Sequence, residues 1–421
     1  MDLGKSDPGD LRANSASRFS VSAYLSAMAV ALLLAGASSQ PAAAQTLTAI
    51  YNFKGDPDGA VPAANVIRDA GGNLYGTTEV GGTNNGTVFK IDEQGNETIL
   101  HTFTGVPDGS QPWAGLVRDE QGILYGTTSG GGAFSYGAVF KIDSAGKESV
   151  VYSFAGVPDG ATPFSGLTLD SKGDLYGTTF FGGTGKCPRA QYGGCGTVFK
   201  LSPDGTESVL YSFAGGTDGA LPVGVLLRDS QGNLYGTTEN GGAYNCPDSN
   251  LPGCGTVFML NATGTETILH NFAGAPNDGE APIGGVTVGA GGNLYGTTFV
   301  GGTYNYGTVF ELTRTGAEKL LYSFGGIPND GEAPPGGVVS DPHGNLYGTT
   351  QQGGGTGCAG SGCGTLFRVT QGGKEISLPL NYGPAGCVPF ASLIRDAAGN
   401  LYGTTTNCGT SSDGTVFELT P

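Results

Sequence analysis

Gly72-Asn73-Leu74-Tyr75-Gly76-Thr77-Thr78, followed shortly by Gly86-Thr87-Val88-Phe89, is the stretch that decides the fold. Its core, Leu-Tyr-Gly-Thr-Thr, occurs seven times, with tyrosines at Tyr75, Tyr125, Tyr176, Tyr235, Tyr295, Tyr347 and Tyr402. A spacing of about 50 to 60 residues marks an internal repeat. Each full unit adds a proline and a short apolar segment upstream. Downstream come Gly-Thr-Val-Phe, a Gly-x-Glu turn, a second apolar stretch and an Asp-Gly pair. The repeat fills 45–421.

One unit reads as four short strands. In the first, Ala64 to Arg68 is strand a, Leu74 to Val80 strand b, Thr87 to Asp92 strand c and Glu97 to Phe103 strand d. Gly-Gly-Asn and Gln-Gly-Asn between them are turn chemistry, because these residues tolerate positive φ. Four short antiparallel strands per unit describe a propeller blade. The last unit stops after its strand c, at Gly414 to Leu419, while Thr46 to Phe53 reads as a strand d with no unit before it. Pairing the two removes two raw sheet edges. The expectation is all-β: a seven-bladed β-propeller closed by its N-terminal strand. Pro379 falls in an outer strand d, where proline is tolerated. The rival architecture is an open β-solenoid, which needs no split repeat.

Composition excludes several classes. The 421 residues include 79 glycines, about 19% against a usual 7%. These glycines follow no three-residue period, so collagen is excluded. Hydrophobic residues at 38% with regularly placed aromatics can fill a core, which argues against disorder. Lys plus Arg is 19 and Asp plus Glu is 36, a net charge of −17. An acidic surface of pI about 4.4 disfavours nucleic acid and anionic membranes as partners.

Residues 1–44 read as a signal peptide. Arg12 and Arg18 precede an apolar run from Ala23 to Ala35, and Ala42-Ala43-Ala44 precedes Gln45. The long leader also carries Asp2, Asp7 and Asp10, and an uncleaved anchor is the alternative. The run is short for a span of about 20 residues. No cysteine before Cys187 offers a lipid attachment point, and no apolar tail ends the chain. The expectation is a secreted or cell-envelope monomer with no membrane insertion after cleavage, a single propeller over 45–421.

The repeated Gly-Asn-Leu-Tyr-Gly-Thr-Thr with Gly-Thr-Val-Phe downstream resembles the GloVer tandem repeat of the choice-of-anchor GloVer-containing bacterial proteins. The clearest copies are Gly72 to Thr78 with Gly86 to Phe89, Gly232 to Thr238 with Gly255 to Phe258, and Gly292 to Thr298 with Gly307 to Phe310. The resemblance implies an exported, surface or secreted protein. It brings no catalytic residues. Members differ in their attachment signals, and this chain departs from them in showing no C-terminal anchor.

In a propeller blade the b–c loops and the d–a crossings share one face. Variable loops on a rigid scaffold are where function sits. The residue after the repeated proline varies: Ala63, Trp113, Phe164, Val223, Ile283, Pro335 and Phe390. These positions open strand a at the channel mouth. Trp113, Phe164 and Phe390 are the candidate ligand-binding residues, able to stack on a sugar ring or an apolar ligand. The alternative is packing against the adjacent blade. Phe134, Tyr136, Phe181, Tyr192, Tyr244, Tyr304 and Tyr306 add aromatics to the b–c loops, as a rim or as cover for loop backbone.

The crossings carry Asp58-Gly59, Asp108-Gly109, Asp159-Gly160, Asp218-Gly219, Asp278-Gly279 and Asp330-Gly331. Carboxylates in a ring could hold cations. Asp before Gly is also a turn signal, and dense calcium-loop spacing is missing. No metal or other cofactor is expected. The eight cysteines form natural pairs within units: Cys187 with Cys195, Cys246 with Cys254, Cys358 with Cys363, and Cys387 with Cys408. Disulfides suit an exported chain; zinc is the alternative, without C-x-x-C spacing or nearby histidines.

No nucleophile motif is present. His101 and His270 fall in strand d and His343 in an a–b turn, away from the channel mouth. Glu79 and Glu239 end strand b, and Glu280 and Glu332 sit near the channel mouth. Two of them about 5 to 9 Å apart could act as acid and base on a glycosidic bond. The leading expectation is a non-catalytic exported binding protein for a carbohydrate or an extracellular protein, with no catalytic residues. The alternative is a secreted polysaccharide hydrolase or lyase with carboxylates at the channel mouth. A purely structural surface protein is a third reading.

Overall fold

The computed structural model describes residues 45–187, 192–246 and 252–421. The leader, and the signal-peptide reading with it, lies outside the described residues. No helix among the described residues is long and apolar enough to cross a membrane.

Seven four-stranded antiparallel blades form a ring, a seven-bladed β-propeller. In blade 1 strand a is Ile67–Arg68, strand b Leu74–Thr78, strand c Thr87–Ile91 and strand d Glu97–Thr102, paired in that order. Blade 7 is the split one. Its strands a to c are Ile394–Arg395, Leu401–Thr405 and Thr415–Thr420, and the N-terminal Thr46–Asn52 supplies strand d. Thr46 lies opposite Thr420 and Asn52 opposite Thr415. In blade 6, Pro379 ends strand d, which pairs only with strand c.

Strand a departs from the sequence reading. Only its last two residues join the ladder, as Ile67 opposite Tyr75 and Arg68 opposite Leu74. The segment before them, Ala63 to Val66, turns its backbone to the neighbouring blade instead. The first threonine of each Leu-Tyr-Gly-Thr-Thr provides the reason. Thr77 Oγ1 donates to the Ala114 carbonyl of the next blade at 3.0 Å, and Thr127 to Ser165 at 3.0 Å. Thr237, Thr297 and Thr349 repeat the bond to Gly284, Gly336 and Ala391. Thr404 closes the ring by donating to Ala64 at 2.9 Å. Blade 3 differs: Thr178 pairs with the Ser165 hydroxyl at 2.8 Å.

Apolar contact adds to these bonds. Phe53 stacks edge-on against Phe89 of the next blade at 5.1 Å, and Phe103 against Phe140 at 5.0 Å. The pattern continues to Phe324 and Phe367; at the sixth junction Leu380 stands in for the phenylalanine facing Phe417. All these phenylalanines are buried. The glycine of Leu-Tyr-Gly-Thr-Thr exists to admit them. A Cβ on Gly236 would lie 2.6 Å from Phe258 Cζ and 2.8 Å from Leu226 Cδ2.

Each repeated tyrosine ties its own blade. Tyr75 donates to Asp69 at 3.0 Å, and Asp69 in turn accepts the Asn73 backbone N–H at 2.9 Å, pinning the a–b turn. Six blades use this aspartate; in blade 5, where Gly289 replaces it, Tyr295 turns to Glu311.

Gly236→Ala is expected to destabilise the propeller by about 1–3 kcal/mol, the usual effect of overpacking. A denaturant titration would show the midpoint falling; an unchanged midpoint would mean that Phe258 moves aside freely.

Candidate functional site

The channel mouth is built from a strained turn repeated seven times. The residue before each inner proline is Val61, Gln111, Thr162, Leu221, Ala281, Ala333 or Val388, and its φ lies between 54° and 58°. Left-handed backbone at a non-glycine residue costs about 1–3 kcal/mol and persists only where surroundings fix it. Here both its peptide groups are held. Gln111 donates its N–H to the Asn85 carbonyl of the previous b–c loop at 2.8 Å, and its carbonyl accepts from Ser129 N at 3.1 Å. Thr162 does the same with Tyr136 and Phe180. The turn aims the Pro-X pair that follows at the channel.

The X residues converge as the sequence predicts. Ala63, Trp113, Phe164, Val223, Ile283, Pro335 and Phe390 all line one cavity of about 400 Å3. The residues after them are small and pack backbone to backbone. A Cβ on Gly224 would lie 2.6 Å from Gly285 Cα, and one on Gly284 2.6 Å from Gly337 N. The mouth is therefore shaped by side chains and the waist by main chain.

Trp113 meets both Phe164 and Phe390 edge-on at 6.1 Å. Blade 1, between the Trp113 and Phe390 blades, offers only Ala63, which leaves room for that contact. The three aromatics are half-buried: they pack against one another and still face the cavity. Phe180 extends the cluster, 5.2 Å from Phe164. Phe181 and Tyr192 carry it on into the b–c loop of blade 3, and Tyr136 of blade 2 joins there at 5.4 Å from Tyr192. Phe134, Tyr244, Tyr304 and Tyr306 are exposed on other b–c loops. Crossings and b–c loops do share a face, since Gly109 pairs with Gly131 and Gly279 with Gly301.

The four glutamates separate. Glu239 lines the cavity. Glu280 and Glu332 do not, contrary to the sequence reading. Each is held in a two-residue ladder three positions before its cavity residue, opposite Val300 and Gln352 respectively, and Glu280 is buried there. Glu79 is half-buried and also outside the cavity lining. Among the described residues one carboxylate, not two, lines the cavity.

The crossing aspartates form latches. Asp58 accepts from the Tyr51 hydroxyl at 3.0 Å and the Lys54 N–H at 2.9 Å. Tyr152, Tyr211 and Tyr322 serve Asp159, Asp218 and Asp330 in the same way. His101 and His270 replace tyrosine opposite Asp108 and Asp278, at 3.1 and 3.2 Å. Sequence reasoning missed this partner because it lies seven or eight residues back on strand d. It also missed a second carboxylate. Glu97, Glu148, Glu207, Glu266, Glu318 and Glu375 open the following strand d and face these aspartates. Burial, and then the facing aspartate, pushes Glu97, Glu207, Glu266 and Glu318 up to about 7. His101, Asp108 and Glu148 each bring a donor atom within 4.8 Å of the others, as a variant of the same latch.

The four disulfides join Cys187 to Cys195, Cys246 to Cys254, Cys358 to Cys363 and Cys387 to Cys408. All sit on the crossing and b–c loop face.

A family model described as the Gloeobacter/Verrucomicrobia repeat matches residues 38–189 and 247–421. The chain belongs to this family. No curated protein matches the chain in sequence. Solved structures like this Gloeobacter/Verrucomicrobia repeat protein share its fold at low identity. The extracellular domain of BT4673 from B. thetaiotaomicron, assigned to a hybrid two component system, has TM-score 0.55 and 11% identity; the match covers 88% of this chain and 39% of that one. PorZ, a surface component of the type-IX secretion system of Porphyromonas gingivalis, has TM-score 0.50 and 16% identity, covering 88% and 47%. A gluconolactonase from Xanthomonas campestris, XC5397, has TM-score 0.40 and 14% identity, covering 89% of each chain. At these identities the first two likenesses carry the fold alone.

The latches set a pH dependence. A glutamate held near 7 in the fold and near its ordinary value when unfolded binds its proton more tightly in the fold. The stability it contributes is complete below about pH 4.5 and is lost as pH rises through about 7. The turn aspartates Asp69, Asp229, Asp341 and Asp396 are held below the ordinary range by hydrogen bonds that outweigh burial, so their contribution is lost at the acid end. The thermal midpoint is expected to peak near about pH 5 and fall towards pH 8. Glu207→Gln should flatten the alkaline limb in calorimetry; a midpoint rising from pH 5 to pH 8 would contradict the assignment.

Proposed function

We propose that this protein is an exported, non-catalytic binding protein whose channel mouth receives a ring-sized ligand, a carbohydrate ring or a group presented by an extracellular protein. The observation that carries this reading is convergence. Seven variable positions, one per blade, meet at a single cavity, and the chain's only tryptophan stands there between two phenylalanines. A cavity of about 400 Å3 lies within the range of small-ligand pockets. Four disulfides support an oxidising, extracellular location. The hydrolase reading draws less support, because among the described residues Glu239 is the one carboxylate that lines the cavity.

Trp113 makes the site its own reporter. Titration of the protein with hits from a glycan array should shift or quench its emission. Trp113→Ala should weaken binding at least tenfold in calorimetry, in the range of a buried aromatic anchor. Undiminished binding by Trp113→Ala would move the ligand away from the channel mouth.

A further inference from the structure

We propose that the cavity selects a ligand carrying an organic cation, a protonated amine foremost, with Glu239 as its counter-ion. This rests on the reading of the channel mouth as the ligand site and names the chemistry of what enters it.

Glu239 lies in strand b of blade 4, Leu234–Asn240, directly after the repeated Thr-Thr. The same position holds Phe180 in blade 3 and Phe299 in blade 5, and both line the cavity. The carboxylate therefore stands between two aromatic side chains contributed by the neighbouring blades, with Trp113 and Phe164 further round the mouth. Among the described residues it is the only titratable side chain in the lining. Among the described residues it has no hydrogen-bond or ion-pair partner; burial alone acts on it and pushes its carboxyl above the ordinary range.

The fold does not call for an acid here. The carboxylates that the fold uses recur from blade to blade with fixed partners: turn aspartates with tyrosine, crossing aspartates with tyrosine or histidine. At the Glu239 position the other blades carry Glu79, Ser129, Phe180, Phe299, Gln351 and Thr406. A carboxylate half-buried among apolar groups without a partner is unfavourable, and a cation seated beside it lowers that penalty. The negative faces of surrounding aromatic rings favour the same charge. A net charge of −17 draws cations to the surface and repels anionic ligands. A neutral sugar, by contrast, needs several polar partners, and among the described residues the lining side chains beyond Glu239 offer few, namely Asn65, Ser165, Ser392 and the Trp113 indole N–H.

The test compares matched probes that differ in one group: 2-phenylethylammonium against 2-phenylethanol, and glucosamine against glucose. Trp113 emission and calorimetry read the affinities on the purified protein. The ammonium member of at least one pair should bind at least tenfold more tightly. Scanned across pH, its binding should release a proton wherever Glu239 is protonated in the free protein, because the cation draws it into its ionised form; buffers of different ionisation enthalpy measure this. Glu239→Gln should erase the preference and the proton release while leaving the neutral probe within about twofold. Glu79→Gln, at the equivalent position of blade 1 and outside the cavity, should keep both. Equal affinities within each pair, or a preference that survives in Glu239→Gln, would overturn the assignment while leaving the site in place. If no probe of either kind binds, the channel-mouth site and this inference fall together. Should Glu239→Gln fail to fold, Glu239→Asp must retain the cation preference, and its loss there would overturn the proposal.

Discussion

A threonine hydroxyl donating to the inner carbonyl of the next blade is the bond on which the rest of this molecule depends. Six copies run around the ring, the last from Thr404 back to Ala64. Each is buried, so breaking one leaves a carbonyl without water to replace the donor. Together they hold the seven inner segments so close that Gly224, Gly284 and Gly336 leave no room for a Cβ and the other blades carry only alanine or serine there. That spacing explains why strand a contributes only two residues to its ladder. Its earlier residues are committed to the neighbouring blade, and their side chains are free to point into the channel mouth.

The outer part of the ring is held differently. The phenylalanine edge contacts and the pairing of Thr46–Asn52 with Thr415–Thr420 bury apolar surface and satisfy the last open sheet edge. Beyond them the crossing aspartates bind strand d, with a glutamate of the following blade facing each one. Two carboxylates brought together at low exposure raise the proton affinity of one of them. The rim therefore favours mildly acidic conditions, whereas the a–b turns on the opposite face, with their ionised aspartates, favour neutral ones.

Much of this was legible in the sequence because the repeat shows each contact many times. Leu-Tyr-Gly-Thr-Thr announces strand b, and the orphan strand at Thr46 to Phe53 announces ring closure. The disulfides follow from cysteines that share a loop. The aromatic mouth follows from reading one column of the repeat, the residue after the proline. What stayed hidden depends on contacts across blades. Nothing local marks Gln111 or Val388 as left-handed, because the carbonyls and N–H groups that fix them come from other segments. The sequence reading puts Glu239 at the end of strand b and Glu280 near the mouth, yet it is Glu239 that lines the cavity. Their separation is a matter of pleat and ladder: one is tied opposite Val300, the other leaves strand b at the cavity wall.

The repeat also supplies its own control for separating scaffold from site. A residue type that recurs from blade to blade is explained by a bond that recurs with it, as the seven tyrosines and the six crossing aspartates are. The positions that change from blade to blade cannot be maintained by a shared contact. Two such columns exist at the mouth: the residue after the inner proline and the residue after Thr-Thr. Both converge on the same cavity, although they come from different strands. The first column contributes Trp113, Phe164 and Phe390; the second contributes Phe180, Phe299 and Glu239. A ring that is close to sevenfold in its scaffold and asymmetric at its mouth places aromatic bulk over one arc and a single negative charge over another. That asymmetry, rather than the propeller itself, is what a ligand would read.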